Sequence, residues 1–186
     1  MSSLQTDPQR ASARRFIVIG CTGSGKTTMA QAISKRLSIP HVEMDSLFWK
    51  PGWGETPDDE LFTKVDGATR GDAWVLDGNY SRTRPITWPR AQTIVWLDYR
   101  FPRIFWQLLR RTIKRCISRE PMWGGCIERF WPQIISSDSI LWWAIKTYRP
   151  RRRNYPRILG APEHRHLVVH RFRTPRQAAV WLRGVE

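Results

Sequence analysis

The chain has 186 residues and a formal net charge of +15, with 31 Lys and Arg against 16 Asp and Glu. Its length suits one α/β domain, and its apolar runs fall short of the about 20 residues that a membrane-spanning helix needs. The polar N-terminus has no signal-peptide core, and the three cysteines and four histidines lack disulfide or zinc spacing. We therefore expect a cytoplasmic protein.

The positive charge is concentrated in the second half of the chain. Residues 101–186 carry 18 basic and 5 acidic side chains, whereas residues 1–100 are almost balanced. An acidic substrate, a nucleic acid or an anionic membrane surface would each explain such an excess. Composition alone leaves all three open.

The first element is a strand that leads into a phosphate-binding loop. Arg15–Ile19 is rich in β-branched and aromatic residues, and the next eight residues satisfy GxxxxGK[ST]. In such a loop Lys26 can bridge the β- and γ-phosphates and the Thr27 hydroxyl can bind Mg²⁺. A helix predicted over 27–37 would point its positive end at the same phosphates. The residues predicted to bind ATP here are Gly20, Cys21, Thr22, Gly23, Ser24, Gly25, Lys26, Thr27 and Thr28.

A second predicted strand, His41–Asp45, ends in a carboxylate. A strand after a crossover helix implies a parallel sheet, and ligands bind at the carboxyl ends of such strands. Asp45 could orient or deprotonate an acceptor hydroxyl there, or it could only cap a following helix. The aromatic loop of Phe48, Trp49 and Trp53 could line an acceptor pocket or pack on the core.

Two more strands follow, over 73–77 and 93–98, the first of them after a helix predicted over 58–69. Asp77 closes the first of these strands, and an aspartate in that place suits the magnesium and water site of a phosphate-loop enzyme. Arg82 lies in the loop beyond. It could clamp an anionic acceptor or be an ordinary solvated arginine.

These motifs resemble those of the adenylate-kinase-like P-loop proteins and, more narrowly, of the bacterial family known as DNA topology modulation proteins. The resemblance covers most of the chain outside about 116–157. The segments that carry it are Gly20–Thr27, His41–Asp45, Leu47–Trp49, Trp74–Ser81, Val95–Asp98, Val168–Phe172 and Thr174–Pro175.

The resemblance implies an α/β fold of three layers, α/β/α, like that of nucleoside and shikimate kinases, with a five-stranded parallel sheet, a helical lid insertion and phosphoryl transfer from ATP with Mg²⁺. In nucleoside monophosphate kinases the third strand ends in Asp-Gly-Phe-Pro-Arg, and the arginine grips the acceptor phosphate. Asp77 and Gly78 match, but Arg82 comes one residue later. Shikimate and gluconate kinases place an aspartate where Asp45 falls, which implies that a hydroxyl acceptor also suits this chain.

A basic helix is predicted over 103–115. Its periodicity collects Ile104, Phe105, Trp106, Leu108, Leu109 and Ile113 on one side. In related kinases this helix enters a lid whose arginines neutralise charge on the transferring phosphate. The resemblance therefore implies that role for Arg110, Arg111 and Arg115, although each could belong to a solvated basic face.

Residues 116–157 are predicted to form an enlarged helical lid that Pro132 and Pro150 interrupt. Its densest positive run, Arg149–Arg157, could bind nucleic-acid phosphates, hold nucleotide phosphates when the lid closes, or be solvated. A fifth strand is predicted over 164–172 and a last helix over 176–182. The resemblance places Arg173, Thr174 and Pro175 where such kinases contact adenine.

The sequence thus predicts a disordered tail over 1–14 and one domain over 15–186. We expect an enzyme that transfers the γ-phosphate of ATP to a small acceptor, either a nucleoside monophosphate or a hydroxyl-bearing metabolite. The alternative is a nucleotide-switched nucleic-acid-binding protein, or a kinase that acts on a nucleic acid.

Overall fold

A parallel five-stranded sheet forms the centre of the protein, in a computed structural model that describes residues 13–78, 80–118 and 139–185. The strands are β1 Arg15–Gly20, β2 His41–Glu43, β3 Trp49–Lys50, β4 Gly54–Glu55, β5 Trp74–Asp77, β6 Thr93–Leu97 and β7 Val168–Phe172. The large sheet has the order β2-β5-β1-β6-β7, and β3 and β4 form a separate antiparallel hairpin.

Helices cover both faces of the sheet. They are α1 Lys26–Leu37, α2 Met44–Phe48, α3 Asp58–Ala68, α4 Arg84–Thr87, α5 Phe101–Ser118, α6 Ile140–Leu159 and α7 Pro175–Arg183. Because strand side chains alternate between faces, Phe16 and Val18 pack with α1, α5 and α7, whereas Ile17 and Ile19 pack with α2 and α3. The predicted three-layer α/β/α fold is confirmed.

Helix α6 contributes to both cores. Near its start, Ala144 belongs to the core that includes α1 and α5. Three turns later, Tyr155 belongs to the opposite core, where its ring lies 5.5 Å from that of Trp96. The helix therefore passes from one side of the sheet to the other, and the groups between these two anchors lie near the edge where the parallel strands end.

The second strand is shorter than the sequence predicted. It ends at Glu43, and α2 begins at Met44, so Asp45 lies in the first turn of a helix rather than at a strand end. Asp45 is not the cap either, because Glu43 holds that position. The reason is packing, since Met44 and Phe48 are buried at a helical i, i+4 spacing.

The prediction that Pro150 interrupts the lid is wrong, because Pro150 and Pro156 both lie inside α6. A proline removes one helical hydrogen bond, but the tertiary contacts of Ala144 and Tyr155 hold the turns on either side. The fifth strand begins only at Val168, since Pro162–His164 forms a 3₁₀ turn.

The packed side of α5 is narrower than its periodicity predicted. Ile104 and Leu108 are buried, but Trp106 is 62% exposed and Ile113 is also exposed. Residues 119–138, which include Pro132, lie outside the described part of the chain, as do residues 1–12 of the predicted tail. Arg14, by contrast, is anchored, because its backbone N–H donates to Gln92 Oε1 at 2.9 Å.

No helix within the described ranges combines the length and apolar character needed to cross a membrane.

Candidate active site

The segment Gly20–Thr27, which carries the GxxxxGK[ST] motif and is called the phosphate-type loop below, leads from β1 into α1 at the carboxyl edge of the sheet. Its backbone closes on itself, since Ser24 N–H donates to the Cys21 carbonyl at 3.0 Å, and Lys26 Nζ donates to the same carbonyl at 3.3 Å. Gly23 has a φ of 83°, and a Cβ there would lie 2.8 Å from Leu108 Cβ of α5. Only glycine allows α5 to press this closely on the loop.

The loop ends where α1 begins. Gly25 is the N-cap residue, and Lys26, Thr27 and Thr28 form the first turn, whose backbone N–H groups have no helical partner. Such a turn attracts anions. The structure therefore places Gly20–Thr28 in a loop and a first helical turn that together hold a cation and a line of donors. That these residues bind ATP stays a prediction.

Lys26 lies among charged groups from three other elements. Burial lowers the pKa of Lys26, the Asp45 and Asp77 carboxylates oppose that shift, and the Arg151 guanidinium adds to it. Two carboxylates and a second cation thus lie within electrostatic reach of the Lys26 ammonium.

Asp77, the last residue of β5, is 3% exposed, and its Oδ2 makes no hydrogen bond to any described residue. His41 Nε2 lies 3.7 Å from this oxygen, and the neighbouring Asp77 carboxylate raises the pKa of His41. No group of three or more His, Cys, Asp and Glu side chains suited to a metal occurs in the described ranges. Mg²⁺ needs no such group, since it keeps waters and phosphate oxygens as ligands.

Asp45 is held by a residue that the sequence analysis did not single out. Tyr80 Oη donates a hydrogen bond of 2.7 Å to Asp45 Oδ1. Burial, followed by the charge of Asp45, raises the pKa of Tyr80, so the phenol stays protonated and remains a donor. The segment Trp74–Ser81, which contains Tyr80, carries part of the family resemblance. No local sequence pattern indicates that Tyr80 contacts Asp45, 35 residues earlier.

The aromatic loop forms the β3–β4 hairpin beside Asp45. Phe48 lies 4.8 Å from both the Trp49 and Tyr80 rings, and Trp49 lies 5.5 Å from Trp53. Rings at these distances and angles attract one another. The three predicted aromatic residues are therefore brought together, on the same side of the site as Tyr80.

Gly78 and Arg82 follow β5. A Cβ on Gly78 would lie 2.6 Å from Met44 Cβ, so the glycine lets α2 approach the sheet and carry Asp45 toward Asp77. The Arg82 guanidinium lies 5.2 Å from the Phe48 ring centre, and its Nη1 is 2.7 Å from Asp58 Oδ1. Its other nitrogen faces Glu55 at 3.6 Å, so two carboxylates already neutralise it.

Helix α6 covers the phosphate-type loop. The Cys21 thiol lies 3.9 Å from the Ala144 carbonyl and beside the Thr147 side chain. Burial raises the pKa of this thiol, and the nearby Arg151 and Lys26 charges lower it. Thr147, Arg151 and Tyr155 recur every four residues and share one helix face. This four-residue spacing, which is visible in the sequence, could have distinguished Arg151 from the other arginines of the run Arg149–Arg157.

A buried carboxylate fixes α6 at this place. Asp98, directly after β6, forms an ion pair with Arg152, whose Nε lies 3.1 Å from Oδ1, and its Oδ2 accepts from Arg171 Nη2 at 2.6 Å. The Arg171 guanidinium also stacks 4.2 Å from the Trp96 ring. The sequence around Asp98 indicates only the end of a strand, because no local pattern shows which arginines this carboxylate binds.

The arginines predicted to act from α5 lie farther along that helix than the residues that touch the loop. Ile104 and Leu108 face Gly23, while Arg110 is exposed and Arg111 and Arg115 are half-buried. The roles predicted for these three arginines stay predictions. Arg151 of α6 is a cation whose charge does act on Lys26.

The residues predicted near adenine follow β7 at the same carboxyl edge. Thr174 caps α7, since its hydroxyl accepts from Gln177 N–H, and Gln177 Oε1 accepts from the Thr174 N–H. Arg173 is exposed, and Pro175 opens the helix. Because β6 lies between β1 and β7 in the sheet, this turn is two strands away from Gly20 at the end of β1.

A GxxxxGK[ST] loop at the carboxyl edge of a parallel sheet, between a strand and a helix, defines a P-loop NTPase fold. No model of a known protein family matches the sequence.

Solved structures support the same fold. A shikimate kinase from Bacteroides thetaiotaomicron aligns with a TM-score of 0.54 and 14% identity, over 92% of this chain and 95% of that one. A shikimate kinase from Acinetobacter baumannii, in complex with shikimate, aligns with a TM-score of 0.55 and 16% identity, over 96% and 94%. The chain therefore has the fold of P-loop kinases.

One curated protein matches over a short segment. A Schizosaccharomyces pombe protein with the name "Probable gluconokinase" is 56% identical over 32 residues, which is 17% of this chain and 17% of that protein.

Proposed function

We propose that the protein is an ATP-dependent phosphotransferase that moves the γ-phosphate of ATP to a hydroxyl group of a small acceptor. The observation that carries this proposal is the grouping of Lys26 with Asp45 and Asp77 beside the phosphate-type loop. Such a transfer needs a cation that binds the phosphates, a carboxylate that accepts the hydroxyl proton and a carboxylate that binds the metal ion.

In the proposed reaction the acceptor hydroxyl oxygen attacks the γ-phosphorus, the bond from that phosphorus to the β–γ bridging oxygen breaks, and ADP leaves. The hydroxyl proton passes to Asp45. Tyr80 occupies Asp45 Oδ1, which leaves Oδ2 to accept the proton. Lys26 and Arg151 stabilise negative charge on the phosphates as the bond to ADP breaks.

Mg²⁺ fits the residues at the end of β5 and the start of α1. Asp77 offers a buried carboxylate oxygen that no described hydrogen bond satisfies, and Thr27 offers a hydroxyl in the first helical turn. These two residues would hold the ion, which when bound neutralises charge on the β- and γ-phosphates.

Two observations favour a hydroxyl acceptor over a nucleoside monophosphate. Arg82, the counterpart of the monophosphate-binding arginine, is already paired with Asp58 and Glu55. The short segment shared with the Schizosaccharomyces pombe protein points the same way, since the name of that protein describes a kinase of a hydroxy acid.

The test is transfer of radiolabelled γ-phosphate to a panel of nucleoside monophosphates, sugars and hydroxy acids. We expect wild-type protein to label at least one acceptor, and Lys26→Ala to lower kcat/KM by at least about a hundredfold because phosphate charge loses its partner. Asp45→Asn should lower kcat and leave ATP binding intact. Lys35→Ala, an exposed change in the last turn of α1, is the matched control. Wild-type turnover in Lys26→Ala would refute the proposal.

A second candidate is nucleotide-dependent nucleic-acid binding, the activity implied by the resemblance to DNA topology modulation proteins. Arg149, Arg153 and Arg157 are exposed at four-residue spacing along α6 and could track a phosphate backbone. This candidate predicts binding to generic duplex that weakens steeply with salt and is lost when all three arginines become alanine. Phosphotransfer remains the first proposal, because Arg151 and Arg152 of the same run face the protein.

A further inference from the structure

Helix α5 presents a second apolar side to solvent, away from the side that packs on the phosphate-type loop. Trp106 is 62% exposed, Ile117 is 77% exposed, and Ile113 is also exposed. At about 100° of rotation per residue these three side chains fall within an arc of about 40°. The buried residues Ile104 and Leu108 lie on nearly the opposite side of the helix. The three exposed residues are called the exposed strip below, and apolar surface grouped in this way marks a place where a partner binds.

Cations border the exposed strip on one flank. Arg103, Arg110 and Lys114 are exposed, and the helical rotation places all three within about 60° of Ile117. The sequence of α5 contains no acidic residue. The solvent side of this helix therefore combines apolar side chains with positive charge, and α5 itself supplies no negative charge to offset it.

Helix α6 has the same character and packs against α5, since the rings of Phe101 and Tyr148 lie 5.1 Å apart. On α6, Trp142 is 44% exposed and Ile145 is 40% exposed. Lys146 Nζ lies 5.8 Å from the centre of the Trp142 ring, and the sequence of α6 also lacks acidic residues. Two neighbouring helices thus share exposed aromatic rings, exposed aliphatic side chains and cations.

The aliphatic members of the exposed strip distinguish between the partners that positive charge attracts. A nucleic-acid backbone pairs with Arg and Lys, but it would leave Ile113 and Ile117 in water. A second copy bound through the same surface would bring the cations of two α5 helices together. The surface of an anionic bilayer offers phosphate charge and acyl chains side by side, and indole rings favour that interface.

We propose that the exposed strip of α5 binds the surface of an anionic lipid bilayer. Trp106, Ile113 and Ile117 enter the boundary between headgroups and acyl chains, and the flanking cations pair with lipid phosphates. A helix that binds in this way lies in the plane of the interface and does not cross the bilayer. The proposal does not depend on phosphotransfer, because none of the charged groups around Lys26 belongs to the exposed strip.

The test is co-sedimentation of the full chain with vesicles of phosphatidylcholine that contain either no anionic lipid or roughly one third phosphatidylglycerol. We expect the partition coefficient to be at least about tenfold higher for the anionic vesicles, and to fall as salt screens the charges. Lys26→Ala should bind vesicles as the wild-type protein does. Failure of this proposal and failure of the proposed function are therefore distinguishable.

Two kinds of variant test the two parts of the surface. Trp106→Ser and Ile117→Ser should each lower the partition coefficient for anionic vesicles by at least about threefold, and together by at least about tenfold, because apolar area no longer enters the interface. Arg103→Gln combined with Lys114→Gln should weaken binding at low salt and flatten its salt dependence, because fewer charges pair with lipid.

The controls remove the same kinds of side chain elsewhere on the surface. Val180→Ser replaces an exposed apolar residue of α7, and Lys35→Gln combined with Arg70→Gln removes two exposed cations of α1 and of the loop after α3. Both controls should bind anionic vesicles within about twofold of the wild-type protein, since neither changes the surface that enters the interface.

Equal binding to neutral and anionic vesicles would overturn the proposal, as would wild-type binding by the double serine variant. Binding to duplex DNA without binding to vesicles would assign the charge to nucleic acid and overturn it. A concentration-dependent dimer that the serine changes dissociate, in place of vesicle binding, would make the strip a contact between copies. A fall in Tm of several degrees in the double serine variant would show that the strip packs within the protein, and would also overturn the proposal.

Discussion

Arg152 Nε lies 3.1 Å from Asp98 Oδ1 and joins the middle of α6 to the end of β6. The other oxygen of Asp98 binds Arg171 of β7, so one buried carboxylate holds a helix and a strand together. Arg151, the neighbour of Arg152, acts on Lys26. The ion pair therefore helps to fix the turn of α6 that places Arg151 near Lys26.

Replacing Asp98 with alanine should destabilise the protein. Loss of one partner of a buried pair can cost 3–5 kcal/mol, but both arginine side chains are about one third exposed, at 37% and 33%, so we expect about 2 kcal/mol. Urea unfolding measures the change. Asp72→Ala, which removes a fully exposed carboxylate, should cost under about 0.5 kcal/mol; equal losses in the two variants would contradict this account of Asp98.

Arg151→Ala should lower kcat by about a hundredfold, because a cation beside the transferring phosphate stabilises charge that develops in the transition state. The KM for ATP should change by less than about threefold, and Tm should stay constant. Lys146→Ala, an exposed position on the same helix whose ammonium contacts only the Trp142 ring in the described region, is the control. If the two variants have the same kcat, Arg151 has no part in the transfer.

Tyr80→Phe should lower kcat with the identified acceptor by about tenfold, since it removes the hydrogen bond that orients Asp45. The ring contact with Phe48 remains, so the melting temperature should shift by only a few degrees. The test is steady-state kinetics at saturating ATP. The dissociation constant of an ATP analogue is measured in parallel. A change in ATP affinity with normal kcat would be inconsistent with a role on Asp45.

Alanine at two glycines should have opposite effects on stability. Gly23→Ala places a Cβ 2.8 Å from Leu108 at a positive φ, and we expect a loss of about 2 kcal/mol together with loss of ATP binding. Gly67→Ala lies inside α3 with no atom within 4 Å of the new Cβ, and it should gain about 0.5–1 kcal/mol. Chemical denaturation of both variants measures the change in the free energy of unfolding. Destabilisation by Gly67→Ala would contradict the description of α3.

Local patterns carried most of the fold prediction. Buried strands of β-branched residues, the loop spacing and the helical period of 58–68 are properties of contiguous sequence, so their positions were predicted to within a few residues. The errors fell at Asp45 and Pro150, where tertiary packing of Met44, Phe48 and Tyr155 decides whether the backbone is helical.

The sequence by itself determined that this protein has a GxxxxGK[ST] loop between a strand and a helix, and that its positive charge lies in the second half. Only the tertiary structure decided which arginine acts on Lys26, which tyrosine holds Asp45, and which arginines pair with Asp98. The reason is physical: strands that are distant in the chain end at one edge of the sheet, and α6 crosses from one core to the other there. Electrostatic interactions depend on those distances in space, and residue type alone does not encode them.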